Sequence, residues 1–312
     1  MSTSSGDGSR AQGYLFALGA ATAWGTLGIF YTIIERRYGL PPQTIVFFRA
    51  AVALAVLFGA LALFRRQWLC VALRDLPLFA ALGAVGIAVF YLVYVHAIRV
   101  AGVSVAVVLM YTAPAWVALY AWQRLGERLD RAKLAALAGA FLGAALVAEV
   151  YAPGRLRLNG AGLALGLASG LCYGCYSILN KHAVARYSPW TVLTFALLFG
   201  VPLLALAQPA AEVWRALTTP GLFAWLVALG VGPTLGGGLL YAAGMARLPA
   251  SVASIIVAFE PVVASLLAFA ILGERLAAGQ LIGAALIVAS ILLLSSRDLA
   301  GRPRRRSHQP AR

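Results

Sequence analysis

Ten runs of about 20 apolar residues, each long enough to cross a hydrocarbon core about 30 Å thick, constrain this chain more than any motif in it. They fall at 13–34, 44–64, 75–97, 102–122, 131–149, 160–182, 189–207, 222–244, 250–271 and 277–296. Short joins separate them, marked by Pro41, Pro42, Arg65, Arg66, Gly102, Pro153, Gly154, Pro209, Pro220 and Pro249. Of the 312 residues 62% are hydrophobic and 11% charged. A soluble domain carries about 25% charged residues, so a water-soluble globule is excluded. The expected fold is an all-α integral membrane protein of ten transmembrane helices set in a lipid bilayer.

Residues 94–129 lie on residues 241–276 at a shift of 147, with 12 identities in 36 positions, all in register. Tyr94 meets Tyr241, Ser104-Val105-Ala106 meets Ser251-Val252-Ala253, and Pro114 meets Pro261. Leu125-Gly126-Glu127-Arg128-Leu129 meets Leu272-Gly273-Glu274-Arg275-Leu276. Pro42 and Thr44 fall on Pro189 and Thr191, and Trp24-Gly25 falls on Tyr173-Gly174 at a shift of 149. Each half therefore holds five spans. Because five is odd, equivalent spans must cross in opposite directions, the inverted-repeat arrangement of many secondary transporters. The expected organisation is a cytoplasmic N-terminal tail over 1–12, a first five-helix repeat over 13–150, a second over 160–296, and a basic cytoplasmic tail over 297–312.

The net charge of +15 is explained by where it sits. Loops on the side of the N-terminus carry 17 Lys and Arg against 7 on the other side, and 11 against 7 without the C-terminal tail. The positive-inside rule then places both termini in the cytoplasm, in a bacterial-type inner membrane. The tail GRPRRRSHQPAR reads as a solvated end drawn to anionic headgroups, and no interleaved aromatics support nucleic-acid binding. Cys70, Cys172 and Cys175 are odd in number and lie in or near apolar runs, so no disulfide framework is expected. No second Cys or His cluster supports Cys172 and Cys175 as a metal site, so no metal or cofactor is expected. Ala21-Thr22-Ala23 mimics a signal-peptide cleavage pattern, but the apolar run continues for about ten residues beyond it, so a retained first span is expected.

Trp24-Gly25 in the first span, Arg49 in the second, mid-span Pro114 and Pro261 in the fourth and ninth, and two Gly-Glu-Arg-Leu span ends together form one pattern. In their order, spacing and repetition over about 285 residues they resemble the drug/metabolite transporter superfamily, with two EamA-like halves. Within it the chain is similar to the YddG-type exporters of aromatic and other amino acids. The resemblance implies a ten-helix basket around a central cavity, walled by the first, third, fourth, sixth, eighth and ninth spans. It also implies export of small metabolites from the cytoplasm.

Polar and aromatic residues at mid-depth are the candidates for substrate contact, because polar groups facing lipid are costly and turn inward. Three sets share helical faces: Trp24, Gly28 and Tyr31; Thr112, Trp116 and Tyr120; Tyr173, Tyr176 and Asn180. Tyr31 and Tyr120, near span ends, fit an interfacial belt equally well. Tyr91 and Tyr94 in the third span, Tyr111 in the fourth, and Tyr241 in the eighth complete the aromatic candidates. The eighth span also concentrates helix-weakening residues from Gly230 to Gly238 around Pro233. There Thr234, Gly238 and freed carbonyls are candidates to meet substrate, or the glycines merely let helices pack closely. Phe90 and Tyr91 stand at the repeat-equivalent place, so one half is expected to close by packing and the other by bending. Pro114, Pro233 and Pro261 are the candidate hinges. Glu260 is the one acidic residue near the centre of a span: a protonated carboxyl, a proton-coupling site, a partner for a cation, or a local hydrogen-bonding group beside Pro261. Arg49 is expected to snorkel to the outer rim, which would leave an anionic substrate no cationic partner at mid-depth.

An intramembrane protease would need paired aspartates, or a serine with a histidine in reach, and no span holds either. A channel would need charge rings or carbonyl filters, and a lipid enzyme metal-binding carboxylates. No phosphate loop occurs, so active transport must use a gradient. The expected function is alternating-access export of amino acids, large apolar and aromatic ones among them, by a chain acting as a monomer. Efflux or uptake of another small metabolite or a cationic drug is the alternative, and no enzyme activity is expected.

Overall fold

The structure, a computed structural model, describes residues 4–152 and 159–300. Arg155 and Arg157 in the mid-chain loop, and the basic tail from residue 301, lie outside the described residues. Every regular element among the described residues is helical. The first half runs α1 (Ser4–Gly25), α2 (Leu27–Tyr38), α3 (Pro42–Phe64), α4 (Leu76–Gly83), α5 (Phe90–Ala101), α6 (Val103–Met110), α7 (Ala113–Arg124) and α8 (Arg131–Val147). The second runs α9 (Gly160–Val184), α10 (Pro189–Ala205), α11 (Ala210–Thr218), α12 (Pro220–Leu229), α13 (Gly237–Arg247), α14 (Ala250–Ile256), α15 (Glu260–Leu272) and α16 (Ala278–Ala300). The first helix thus begins at Ser4, well before the apolar run that starts at residue 13.

Among the described residues, eight helical segments are long and apolar enough to cross a membrane: Gly8–Tyr38, Pro42–Phe64, Leu73–Ala101, Val103–Arg124, Gly160–Val184, Pro220–Arg247, Ala250–Leu272 and Ala278–Arg297. The helices α8 and α10, at 17 residues each, are shorter. α10 is followed by α11 at a bend of 118°. Local chemistry sets the helix starts. The side chains of Asp130, Asn159 and Ser188 accept backbone N–H bonds from Lys133, Gly162 and Thr191 at the first turns of α8, α9 and α10, where the N–H groups have no helical partner. Pro42, Pro189 and Pro220 sit at first helical positions, where a missing N–H costs nothing.

The two halves break their helices at equivalent places. The segment Ala84–Val89 in the third span is π-helical, and so is Gly230–Gly236 in the eighth, which at the shift of 147 covers the same register. Both halves carry the wider turn, one with a proline and one without. The fourth span breaks at Tyr111-Thr112 and the ninth at the 3-10 turn Val257–Phe259. Pro114 and Pro261 each lie in the first turn of the helix that restarts there. Around Pro233, the Thr234 hydroxyl donates to the carbonyl of Leu229 at 2.9 Å, so that carbonyl is satisfied within the span.

Small residues set the closest approaches. α8 and α16 pack side by side, and a Cβ on Gly143 or on Gly283 would come within 2.6 Å of the other's carbonyl oxygen. Gly162, Gly166, Gly170 and Gly174 form a smooth stripe on α9, with Ala101, Leu109, Thr112 and Trp116 seated against them in turn. The remaining inward faces leave an unfilled space between the halves.

Candidate functional site

That space is a cavity of about 480 Å³. Its wall is mostly apolar and carries a cluster of rings, contributed chiefly by α1, α5 and α9. Trp24, Tyr31, Tyr91, Tyr94, Tyr111, Tyr173 and Tyr176 all line it, with Gly28, Thr234, Gly238, Glu260 and Pro261. The rings support one another: Phe90 stacks on Tyr173 at 5.2 Å between centroids, and Tyr176 stacks on Tyr241 at 5.8 Å. Trp24 meets Tyr241 at 5.2 Å and Tyr173 edge-on at 6.4 Å. A Cβ on Gly237 would strike the Trp24 indole nitrogen at 2.5 Å, so this glycine is what lets the indole lie flat against α13. In the eighth span Gly230, Gly237 and Gly238 thus sit at close approaches, whereas Gly232 and Gly236 do not. Exposed Glu35 and Arg99 line one end of the cavity, where Arg99 donates to the Gln43 side-chain carbonyl.

The structure places the sequence candidates unequally. Tyr241, 1% exposed, stands behind the wall and donates to the Ser177 hydroxyl at 2.7 Å. Thr112, Trp116, Pro114 and Pro233 do not line the cavity. Thr112 and Trp116 point at the glycine stripe of α9: Thr112 donates to the Leu109 carbonyl at 2.7 Å, and Trp116 is 41% exposed on the outer surface. On the same face Tyr120 hydrogen-bonds His182 at 2.9 Å. That aromatic stripe is a packing face, and the glycines at every fourth position of α9 are the sequence signal for it. Tyr31, by contrast, lines the cavity with its helical neighbours Trp24 and Gly28.

Arg49 is the residue that sequence reasoning misplaced. It does not snorkel outward but is 8% exposed and lines the cavity, with its guanidinium carbon 4.3 Å from the centre of the Tyr91 ring. Its Nε has no hydrogen-bond partner. A cationic group therefore does face the cavity, against the expectation that an anionic substrate would find none. Arg49 comes from the second span, and Leu193 and Leu197 from the seventh, so these two spans join the six that the resemblance implies as walls. Glu260 lines the same cavity, near the Tyr111 hydroxyl.

Polar contacts outside the cavity tie the two halves together and, within the second, α9 to the end of α13. Glu127 accepts the backbone N–H of Ala250 at 2.6 Å and also the Ser251 hydroxyl, while Lys133 bridges Glu127 at 3.1 Å and Ser251 at 2.9 Å. Lys181 donates to the carbonyls of Met245 and Leu248 at 2.7 and 2.6 Å, capping the end of α13. A cavity of this size and lining can hold a small solute.

Known proteins share this architecture. A probable terminal-alkyne amino-acid exporter of Streptantibioticus cattleyicolor is 32% identical over 263 residues, covering 84% of this chain and 85% of that protein. An uncharacterized transporter of Archaeoglobus fulgidus is 32% identical over 212 residues, covering 67% of this chain and 74% of that one. A solved crystal structure superposes with a TM-score of 0.77 at 22% identity, over 94% of this chain and 100% of that one, which shows a shared fold. The EamA-like transporter family matches twice, over residues 11–148 and 160–296. The chain is a multi-pass membrane protein and a transporter, not an enzyme, and belongs to the EamA-like transporter family.

Proposed function

We propose that this protein exports amino acids, aromatic and large apolar ones among them, from the cytoplasm by alternating access through the central cavity. The observation that carries the reading is the aromatic wall: rings from α1, α5 and α9 offer flat apolar faces, with hydroxyls and an indole N–H among them for polar groups. The relative in Streptantibioticus cattleyicolor, whose description is an amino-acid exporter, supports it. The working unit is a monomer of ten spans arranged as an inverted repeat of five plus five, in the inner membrane with both termini cytoplasmic. In favour of ten, α8 and α10 reach about 26 Å each at 1.5 Å per residue, near the lower limit for a span. The paired helix breaks and the twofold family match favour the repeat.

Purified protein should be stabilised against heat more by phenylalanine or methionine than by glycine, sugars or nucleosides. A second reading, efflux of a cationic drug, draws on Glu260 and the ring faces, which suit a cation. Stabilisation by a hydrophobic cation with none by any amino acid would favour it instead.

A further inference from the structure

Two groups of opposite charge line the cavity and do not pair with each other. Arg49 lies on α3 and Glu260 at the start of α15, and among the described residues no ion pair joins them. Arg49 keeps a buried Nε with no hydrogen-bond partner and rests its guanidinium on Tyr91. Glu260 has the Tyr111 hydroxyl beside it. A buried charged group left without a full set of partners, as Arg49 is, is costly until something at the cavity meets it, and Glu260 supplies the opposite charge at the same cavity.

We infer that Arg49 and Glu260 are the two poles that read a zwitterion, Arg49 taking the α-carboxylate and Glu260 with Tyr111 the α-ammonium. This deepens the amino-acid reading above and rests on it. A guanidinium presents a planar fork that matches a carboxylate with two parallel hydrogen bonds, and the buried, unpartnered Nε is one donor still free to make such a bond. A carboxylate and a phenol oxygen together offer the acceptors that a three-donor ammonium needs. The aromatic wall built by Phe90, Tyr173 and Tyr176 then receives the side chain, so it fixes preference among amino acids while the poles fix the class. The poles come from different halves of the chain, α3 in the first and α15 in the second. A bound zwitterion would therefore tie the halves together.

The test is a competition series in proteoliposomes holding the full chain and exchanging labelled phenylalanine. The competitors are phenylalanine, phenethylamine, which lacks the carboxylate, and phenylpropionate, which lacks the ammonium. In the unaltered protein each one-ended competitor should be about tenfold weaker or more, the worth of one charge-assisted pair. Arg49→Gln should weaken phenylalanine and leave phenethylamine unchanged, closing the gap between them; Glu260→Gln should close the gap to phenylpropionate. One-ended competitors as strong as phenylalanine in the unaltered protein overturn the assignment, whether or not the variants fold. So does a folded variant that weakens all three alike. Phenylalanine flux with a flat series removes the poles alone; no phenylalanine flux at all removes the amino-acid reading with them.

Discussion

Glu127 and Ala250 stand 123 positions apart in the chain, yet the Glu127 carboxylate accepts the Ala250 backbone N–H at 2.6 Å. The bond ties the end of α7 in the first half to the start of α14 in the second, where helical N–H groups have no partner of their own. The repeat-equivalent residue, Glu274, is exposed, and among the described residues no such bond joins it to Val103 or Ser104, the equivalents of Ala250 and Ser251. The two halves are thus alike in sequence and asymmetric in contacts: Glu127 closes one junction between them, and among the described residues its counterpart Glu274 makes no such bond.

Glu127→Ala should remove that closure and destabilise the protein by about 1–2 kcal/mol, the worth of a charged cap on a partly buried N–H. Glu274→Ala should change thermal stability little. Equal melting temperatures for the two variants would mean that the Glu127 cluster does not hold that junction.

Gly237 offers a packing test, since a Cβ there meets the Trp24 indole at 2.5 Å. Gly237→Ala should cost about 1–3 kcal/mol of stability by overpacking, and should displace Trp24 and alter its fluorescence. Gly232, with no atom within 4 Å of an added Cβ, is the control, and Gly232→Ala should leave the Trp24 emission unchanged.

Helical spacing alone made the Thr112, Trp116 and Tyr120 stripe look equivalent to the Trp24, Gly28 and Tyr31 stripe, and the structure separates them: only the second lines the cavity. Tyr31→Ala and Tyr176→Ala should each weaken substrate exchange by about five- to tenfold, the value of one aromatic contact. Trp116→Ala, outside the cavity, should stay within about twofold of the unaltered rate. Exchange kinetics on the three variants decide it, and a larger loss at Trp116 than at Tyr31 would contradict the placement.

Membrane-spanning helices and the repeat were legible because both rest on signals that survive without coordinates: long apolar runs, and Leu-Gly-Glu-Arg-Leu recurring in register. Which face of a helix meets the cavity was not, because in a membrane the face opposite the cavity is apolar or aromatic too. For α7 the deciding information lay on another helix, in the glycines of α9. Arg49 was misread for a related reason: depth from the span end permits snorkelling, but Tyr91, 42 positions away in sequence, offers a ring that holds the guanidinium inside. The π-helical turn of the third span left no proline to announce it, whereas Pro233 marked its partner.

Orientation is tested by thiol labelling in a background lacking Cys70, Cys172 and Cys175. Asn159 caps α9 through Gly162 and also donates to the Val100 carbonyl, so the neighbouring exposed Gly160, with open space around it, is the better probe. Gly160→Cys should react with an impermeant reagent on intact cells and Gly8→Cys should not. The opposite pattern would place both termini outside.

The central claim is amino-acid transport, and counterflow measures it most directly. Vesicles reconstituted with the protein and loaded with unlabelled phenylalanine should accumulate labelled phenylalanine well above empty vesicles. Glycine should exchange more weakly, because burying an aromatic side chain of about 150–250 Å² at about 25 cal/mol per Å² favours the larger substrate. No amino-acid accumulation, beside clear flux of a nucleoside, a sugar or a cationic drug, would contradict the account.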